Sequence, residues 1–503
     1  MKRFFISLTF CFIFFHARSQ NQQSAVDKYA STITQEDLKD YLTILASDAL
    51  EGRETGTRGQ KMAAAFIENH FMEIGLQPGI RDKHTSNYCQ DVPLEISSPG
   101  ETYMVLQGKR KENFEDMVYF GVANMQEEAE IDLVFGGEGQ DAFIESLDLK
   151  DKGLIVFSKA GFQAYGEMRK KVQDMGAKAL LIVNTDSLGA FKKLAQQFKS
   201  YIGTGSLQLP SKKPKGENIG LFFIPPELAA EMVGSSVRRL NAAMEAQAKG
   251  NNKAIKKIKT GTIKYKVTRD VKIVKSENVL GYLEGAENKD ELIIITAHYD
   301  HIGRMGGQIN NGADDDGSGT TAVMEIAQAF AKAKQDGHGP KRSLLFMTVT
   351  GEEKGLLGSQ YYVENPAFDL EKTMVNLNID MIGRIDPKHE ESPDYVYLVG
   401  SDKLSSELHE ISETMNEKYT QLELDYTYND ENHPDRIYYR SDHWNFAKNN
   451  IPVIFYFNGT HEDYHRPTDT VDKIAFETLQ KRARLVFYTA WELANRQDKI
   501  ALD

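Results

Sequence analysis

The stretch Leu292-Ile293-Ile294-Ile295-Thr296-Ala297-His298-Tyr299-Asp300-His301 decides the architecture. A short, nearly continuous apolar run with three isoleucines reads as a strand buried on both faces, and polar, chemistry-bearing residues follow it at once. Outward from this point the pattern repeats. Residues 320–332 keep helical spacing, 343–350 read as a second buried strand, 355–363 as a helix and 374–379 as a third strand. A late strand follows at 451–457 and a closing helix at 474–493. Buried strands alternating with helices imply an α/β fold, a mostly parallel sheet flanked by helices.

The whole chain fits that class. Its 503 residues suffice for two or three domains, and 41% hydrophobic with 26% charged residues excludes a largely disordered or fibrous protein. Lysine and arginine number 60 against 73 aspartates and glutamates, a net charge of −13, which is the wrong sign for a nucleic-acid footprint. No nucleic-acid partner is expected. Lysines are dense over 249–275, but in Ile263-Lys264-Tyr265-Lys266-Val267 they alternate with apolar residues, which reads as the wet face of a strand.

Lys2 and Arg3 precede an apolar run over 4–15, and Ala17 and Ser19 are small residues at −3 and −1 of a cleavage after Ser19. Residues 1–19 therefore read as a signal peptide, and the protein is expected to be exported, periplasmic or extracellular. Phe10 before Cys11 argues against a lipid anchor, and removal of Cys11 would leave only Cys89, so no internal disulfide is expected. The run is too short for a permanent membrane span, and no other stretch qualifies. Residues 20–112 read as the N-terminal part of the main domain. They hold two helical segments around Glu51-Gly52-Arg53-Glu54-Thr55-Gly56-Thr57-Arg58-Gly59. Residues 113–268 have strands at 132–137, 153–157 and 176–184 and a helix at 164–175, but gather no His, Cys or paired carboxylates. They read as a smaller inserted domain of β-rich α+β type, to which no chemistry is assigned. Residues 269–503 form the catalytic part.

Candidate chemistry sits after the strands. His298 and Asp300 follow the first, Glu352 and Glu353 the second, Asp380 ends the third, and His465 follows the late strand. Asp314-Asp315-Asp316-Gly317 stands just before the helix at 320. In open α/β sheets ligands bind beyond the carboxyl ends of the strands, so these segments converge on one edge. So many negative charges require a cation. Imidazole mixed with carboxylate suits zinc and its neighbours better than calcium. Two divalent ions would be balanced by three carboxylates and a bridging hydroxide. Two His, one shared carboxylate and two terminal ones would give each ion three protein ligands and an open position, the catalytic arrangement.

These motifs also carry a resemblance. Ala297-His298-Tyr299-Asp300-His301-Ile302-Gly303 and Gly312-Ala313-Asp314-Asp315-Asp316-Gly317-Ser318-Gly319 resemble the co-catalytic two-zinc aminopeptidase family, which includes secreted bacterial leucine aminopeptidases and glutamate carboxypeptidase-like metallopeptidases. Gly351-Glu352-Glu353-Lys354-Gly355-Leu356-Leu357-Gly358-Ser359, Asn378-Ile379-Asp380-Met381, Ser441-Asp442-His443 and Tyr464-His465 with Pro467, Asp469 and Thr470 extend it in order. Asp316 departs from a pattern that often has Asn there. The resemblance implies a zinc-exopeptidase-like fold with a protease-associated domain as the insert, and two Zn2+ per chain, with cobalt or manganese as alternatives. It implies that Asp315 bridges the ions, that His298 and Asp380 complete one site, and that Glu353 and His465 complete the other. Asp300 would orient the His298 ring, Glu352 would be the general base and Tyr464 would donate to the oxyanion. The backbone near Arg440 would hold the substrate's amino group.

The implied activity is a secreted zinc exopeptidase, an aminopeptidase that takes N-terminal residues from peptides through a hydroxide bridging two metals. A carboxypeptidase, with Arg384 or Arg440 pairing the substrate carboxylate, is one alternative; a glutaminyl cyclase-like enzyme and a non-catalytic receptor-like member are the others. His301, His433 and His443 read as core or outer histidines. His461-Glu462-Asp463-Tyr464-His465 spells the zincin pattern HExxH, but Asn458-Gly459 before it and Pro467 after it leave no room for the long helix that motif needs.

Overall fold

The computed structural model describes residues 26–81, 86–210, 219–430 and 432–503, so the leader read at 1–19 lies outside the described residues. The chain divides into two compact units, one of residues 1–93 with 274–503 and one of 94–273.

The first unit holds the alternation anticipated from sequence. Helices α1 (Gln35–Leu45) and α2 (Arg58–Glu73) come first. Thr34 caps α1 by accepting the Asp37 N–H at 3.0 Å, the work of a hydroxyl N-cap. Then follow β1 (Thr262–Leu283, of which the last ten residues belong to this unit), β2 (Asn288–His298), α3 (Gly319–Gln335), β3 (Arg342–Val349), α4 (Leu357–Glu364) and β4 (Thr373–Ile379). β5 (Tyr395–Val399), α5 (Ser406–Met415), β6 (Glu423–Asp425), β7 (Val453–Phe457) and α6 (Phe476–Asn495) complete it. The spatial strand order is β6-β5-β7-β4-β2-β3-β1. β2 lies parallel to both β3 and β4, and β4 is parallel to β7, so the carboxyl ends of these four strands share one edge.

Both faces of this sheet are dry. Ile293 and Ile295 join Leu38, Leu42, Phe330 and Phe487 in a core under α1, α3 and α6. Leu292 and Ile294 point the other way, with Leu345, Tyr362 and Phe446. The alternation is the two-residue period of a strand with a layer on each side, which is why its sequence is apolar at nearly every position.

The second unit holds a run of mostly parallel strands. Ala129–Phe135, Lys152–Phe157, Ala179–Val183 and Gly220–Phe223 run parallel in that order, with Val118–Phe120 antiparallel at the margin. Helices Phe162–Asp174 and Leu188–Ile202 link successive parallel strands. The expected insert limits of 113 and 268 differ from those of the compact unit. The reason is that strand Cys89–Leu106 and β1 each run unbroken through a unit boundary, with no turn at which a sequence could show it. Among the described residues no helix is long and apolar enough to cross a membrane.

Candidate metal centre

The geometry of parallel strands places the expected residues. β2 ends at His298, the turn after β3 carries Glu352 and Glu353, Asp380 follows β4, and Tyr464 and His465 lie in the loop beyond β7. Asp315 comes from the segment between β2 and α3.

Asp315 sits in the middle. Its Oδ1 is 3.3 Å from His298 Nε2, and its Oδ2 is 3.1 Å from His465 Nε2. His298 Nε2 also faces Asp380 Oδ1 at 3.5 Å and Glu352 Oε2 at 3.9 Å. Glu353 Oε2 lies 3.1 Å from His465 Nε2. Two groups able to hold an ion result, His298–Glu352–Asp380 and His301–Asp315–Glu353, and no others occur among the described residues. Whether these residues suit a metal is decided by their loose ends. Asp315 Oδ2 and Glu353 Oε1 are buried without a hydrogen-bond partner, although imidazoles stand close by. Buried carboxylate oxygens left unpaired cost about 1–3 kcal/mol each, and mixed nitrogen and oxygen donors around them suit zinc. The residues fit a pair of divalent ions.

Without cations the charges are shared between side chains. Burial pushes the Glu352 carboxyl well above the usual range, with Asp380 and Glu353 adding to the push against His298. Burial disfavours a charged His298, but the carboxylates of Glu352, Asp380 and Asp315 outweigh it and raise the imidazole well above its usual value. Burial acts on Asp315 upward, yet three facing imidazoles hold it well below the carboxylate range. His465 is opposed by burial and raised to about 10 by Asp315 and Glu353. Burial and the nearby carboxylates raise the Tyr464 phenol, which stays a donor at neutral pH.

Asp300 stands differently from expectation. His298 Nδ1 is 3.0 Å from the backbone carbonyl of Asp300, whereas the carboxylate is 3.9 Å away. That carboxylate instead accepts the Thr55 hydroxyl at 2.6 Å and the Glu352 N–H at 3.2 Å. The main chain thus fixes the imidazole tautomer, and the Asp300 side chain ties the turn carrying Glu352 to the N-terminal segment.

Behind the cage lie residues to which the sequence reading gave no role. Arg53, 1% exposed, donates to the carbonyls of Leu45, Tyr299, Asn311 and Gly312. It clamps the chain on both sides of the cage loop. Asp469 accepts the N–H groups of Asp314 and Asp315, and Asp316 those of His298, Gly319 and Met381. The donors meeting Asp316 are all backbone N–H groups, so a carboxylate serves there with both oxygens. The signal for Arg53 was present, an arginine in a Gly-rich turn, but its partners are carbonyls, which no sequence pattern marks.

The remaining candidates separate cleanly. Residues 461–465 form a turn and no helix, and His461 faces Asp314 Oδ2 at 3.2 Å while His465 faces the cage. His443 is a core residue, its Nε2 2.8 Å from the Tyr438 carbonyl, and burial lowers it to about 3. The His433 ring accepts the Asp435 N–H away from the cage. Arg384 is engaged by Asp463 at 2.9 Å. Arg440 is exposed, lines the hollow beside the cage, and approaches the Tyr464 hydroxyl at 3.4 Å. Met381, Ile437, Phe455 and Phe457 give that hollow an apolar wall. His301 was expected outside the cage and is found against it, a point taken up below.

This sheet with its edge-on cluster of His, Asp and Glu defines an α/β protein with a candidate metal centre at the carboxyl ends of its parallel strands. Residues 278–490 match the model of peptidase family M28. The chain is 26% identical over 356 residues to Aminopeptidase YwaD of Bacillus subtilis (strain 168), covering 69% of this chain and 64% of the relative. It is 22% identical over 360 residues to the Probable glutamate carboxypeptidase AMP1 of Arabidopsis thaliana, covering 65% and 48%. The matches thus span less than two thirds of these curated relatives. Among solved structures, the aminopeptidase from Aneurinibacillus sp. strain AM-1 shares the fold with a TM-score of 0.52 at 20% identity, over 95% of this chain and 98% of that one.

Proposed function

We propose that the chain is an exported zinc exopeptidase that removes N-terminal residues from peptides, using two metal ions held by His298, Asp315, Glu353, Asp380 and His465. The observation that carries this reading is Asp315, one carboxylate turned toward two separate His-containing groups. The two relatives named as an aminopeptidase and a glutamate carboxypeptidase support peptide substrates.

The ions, when bound, supply Lewis acidity toward the scissile carbonyl and make a water acidic enough to lose its proton near neutrality. Glu352, raised by burial, is suited to accept that proton and pass it to the departing amine. It stands 3.9 Å from His298 Nε2, farther than Asp315 at 3.3 Å and Asp380 at 3.5 Å, which suits a base beside the ion more than a ligand of it. Tyr464 stacks on His465 with ring centroids 4.0 Å apart, which aims its hydroxyl over the cage as a donor to the oxyanion. The wall of Met381, Ile437, Phe455 and Phe457 suits an apolar side chain on the substrate. Export rests on the leader reading of residues 1–19.

A carboxypeptidase is the second reading, favoured by the exposed guanidinium of Arg440 at the rim. A panel of aminoacyl amides and N-blocked dipeptides, assayed with and without chelator, separates the two. Chelator-sensitive release from the amides alone is expected; release from blocked dipeptides alone overturns the aminopeptidase reading. Glu352→Gln should keep its metal and lose about 10²–10⁴ in turnover. Wild-type turnover in that variant would remove Glu352 from the base role.

A further inference from the structure

His301 is buried completely and lies against the second half of the cage. Its Nδ1 stands 2.8 Å from Glu353 Oε1 and 3.7 Å from Asp315 Oδ2. At 2.8 Å the two atoms are within ion-pair reach, but they are not aligned as a well-formed hydrogen bond. Both ring nitrogens of His301, Glu353 Oε1 and Asp315 Oδ2 remain without a hydrogen-bond partner. Atoms this close that do not point at one another, an imidazole nitrogen and two carboxylate oxygens, have the arrangement of donors converging on a common point. A hydrogen bond needs the N–H directed along the line to its acceptor, while ligands of one ion need only face the ion.

The surroundings make room for the ring. Gly312 has φ +55°, and a Cβ there would come within 2.6 Å of His301 Cγ and Cδ2. The backbone holds the ring in place from the other side, because the His301 N–H donates to the Arg53 carbonyl at 3.2 Å. The ring sits edge-on to His465, centroids 5.8 Å apart, so two imidazoles flank the same pair of carboxylates.

We infer that His301 is an additional ligand of the ion held by Asp315, Glu353 and His465, giving that site four protein donors against three for the site of His298, Asp315 and Asp380. The inference rests on the two-metal reading above. It makes the two sites unequal in nitrogen content, with two imidazoles on the site of Glu353 and a single imidazole on that of Asp380, so the site with two imidazoles is built to keep its ion more tightly.

Metal content and X-ray absorption test this independently of turnover. Wild-type protein loaded with Zn2+ is expected to hold two ions, with three imidazoles shared between them in the absorption fine structure. His301→Gln, checked for folding by circular dichroism, should retain one ion with unchanged affinity and bind the other more than about 1,000-fold more weakly, beyond the loss of about 10–100-fold usual for an outer partner. Two imidazoles over two ions in the wild type, or an unchanged second affinity in the variant, overturns the assignment while leaving the two-metal reading intact. Fewer than two ions on the wild type overturns both. The wild-type spectrum decides the matter even where the variant does not fold.

Discussion

His298 and His465, both raised, hold protons beside an Asp315 carboxylate that is kept well below the usual range. His465 is raised to about 10 by Asp315 and Glu353, so in the absence of cations it is charged at neutral pH. A metal ion takes only the neutral imidazole, and the sign follows: uptake must release protons, and apparent affinity falls as the pH is lowered. Calorimetric titration with Zn2+ in two buffers of different ionisation enthalpy should show release of about one proton or more per chain; heats independent of the buffer would contradict this. The cage residues were legible in the sequence because each follows a buried strand, and parallel strands bring such positions together. The part played by His301 was not, because it depends on the space left by Gly312 and on carboxylate oxygens 14 and 52 positions away.

Two elements show how packing around the cage is held and what it costs. The turn between α1 and α2 is joined to the site by Thr55, whose hydroxyl donates to Asp300. Thr55→Val keeps the shape and removes the donor, and should cost about 1.5–3 kcal/mol, the worth of a hydrogen bond to a charged group; denaturant melts measure it, and a change under about 0.5 kcal/mol would contradict the role. On α3, Glu325 is 1% exposed and burial raises it from 4.5 to about 8, despite the Thr34 N–H it accepts at 3.2 Å. Its folded value lies above the unfolded one. Below the unfolded value both states are protonated and nothing is lost; between the two values folding takes up a proton, so stability declines as pH rises, and above about 8 the loss is complete. Glu325→Gln should therefore raise the melting temperature at pH 9 and leave it nearly unchanged at pH 4. The helical spacing of α3 was readable beforehand. That it turns a glutamate into the core was not, since the amide and amphipathic neighbours of α1 decide it.

At the scale of the molecule, the sequence showed the strand–helix alternation but missed β5 and β6, and so the order of the sheet's far edge. The chain between Asp380 and β7 is long, and nothing in its residues says which edge it joins. The centre of the sheet was readable because its strands are dry on both sides. Since the cage ties segments from three strand ends and two loops, ions bound only by the folded state should stabilise it; at free Zn2+ about 1,000 times Kd, each site adds roughly 4 kcal/mol. Chelation should then lower Tm by roughly 10 °C or more. An unchanged melt after removal of both ions would argue against binding to the native state. The supports of the cage run from Arg53 to Asp469, nearly the full length of the polypeptide. A growing chain on the ribosome consequently has no finished trap for an ion until its last helix is about to emerge. Loading is thereby postponed to the end of synthesis, and a truncated product carries at most a fragment of the hold.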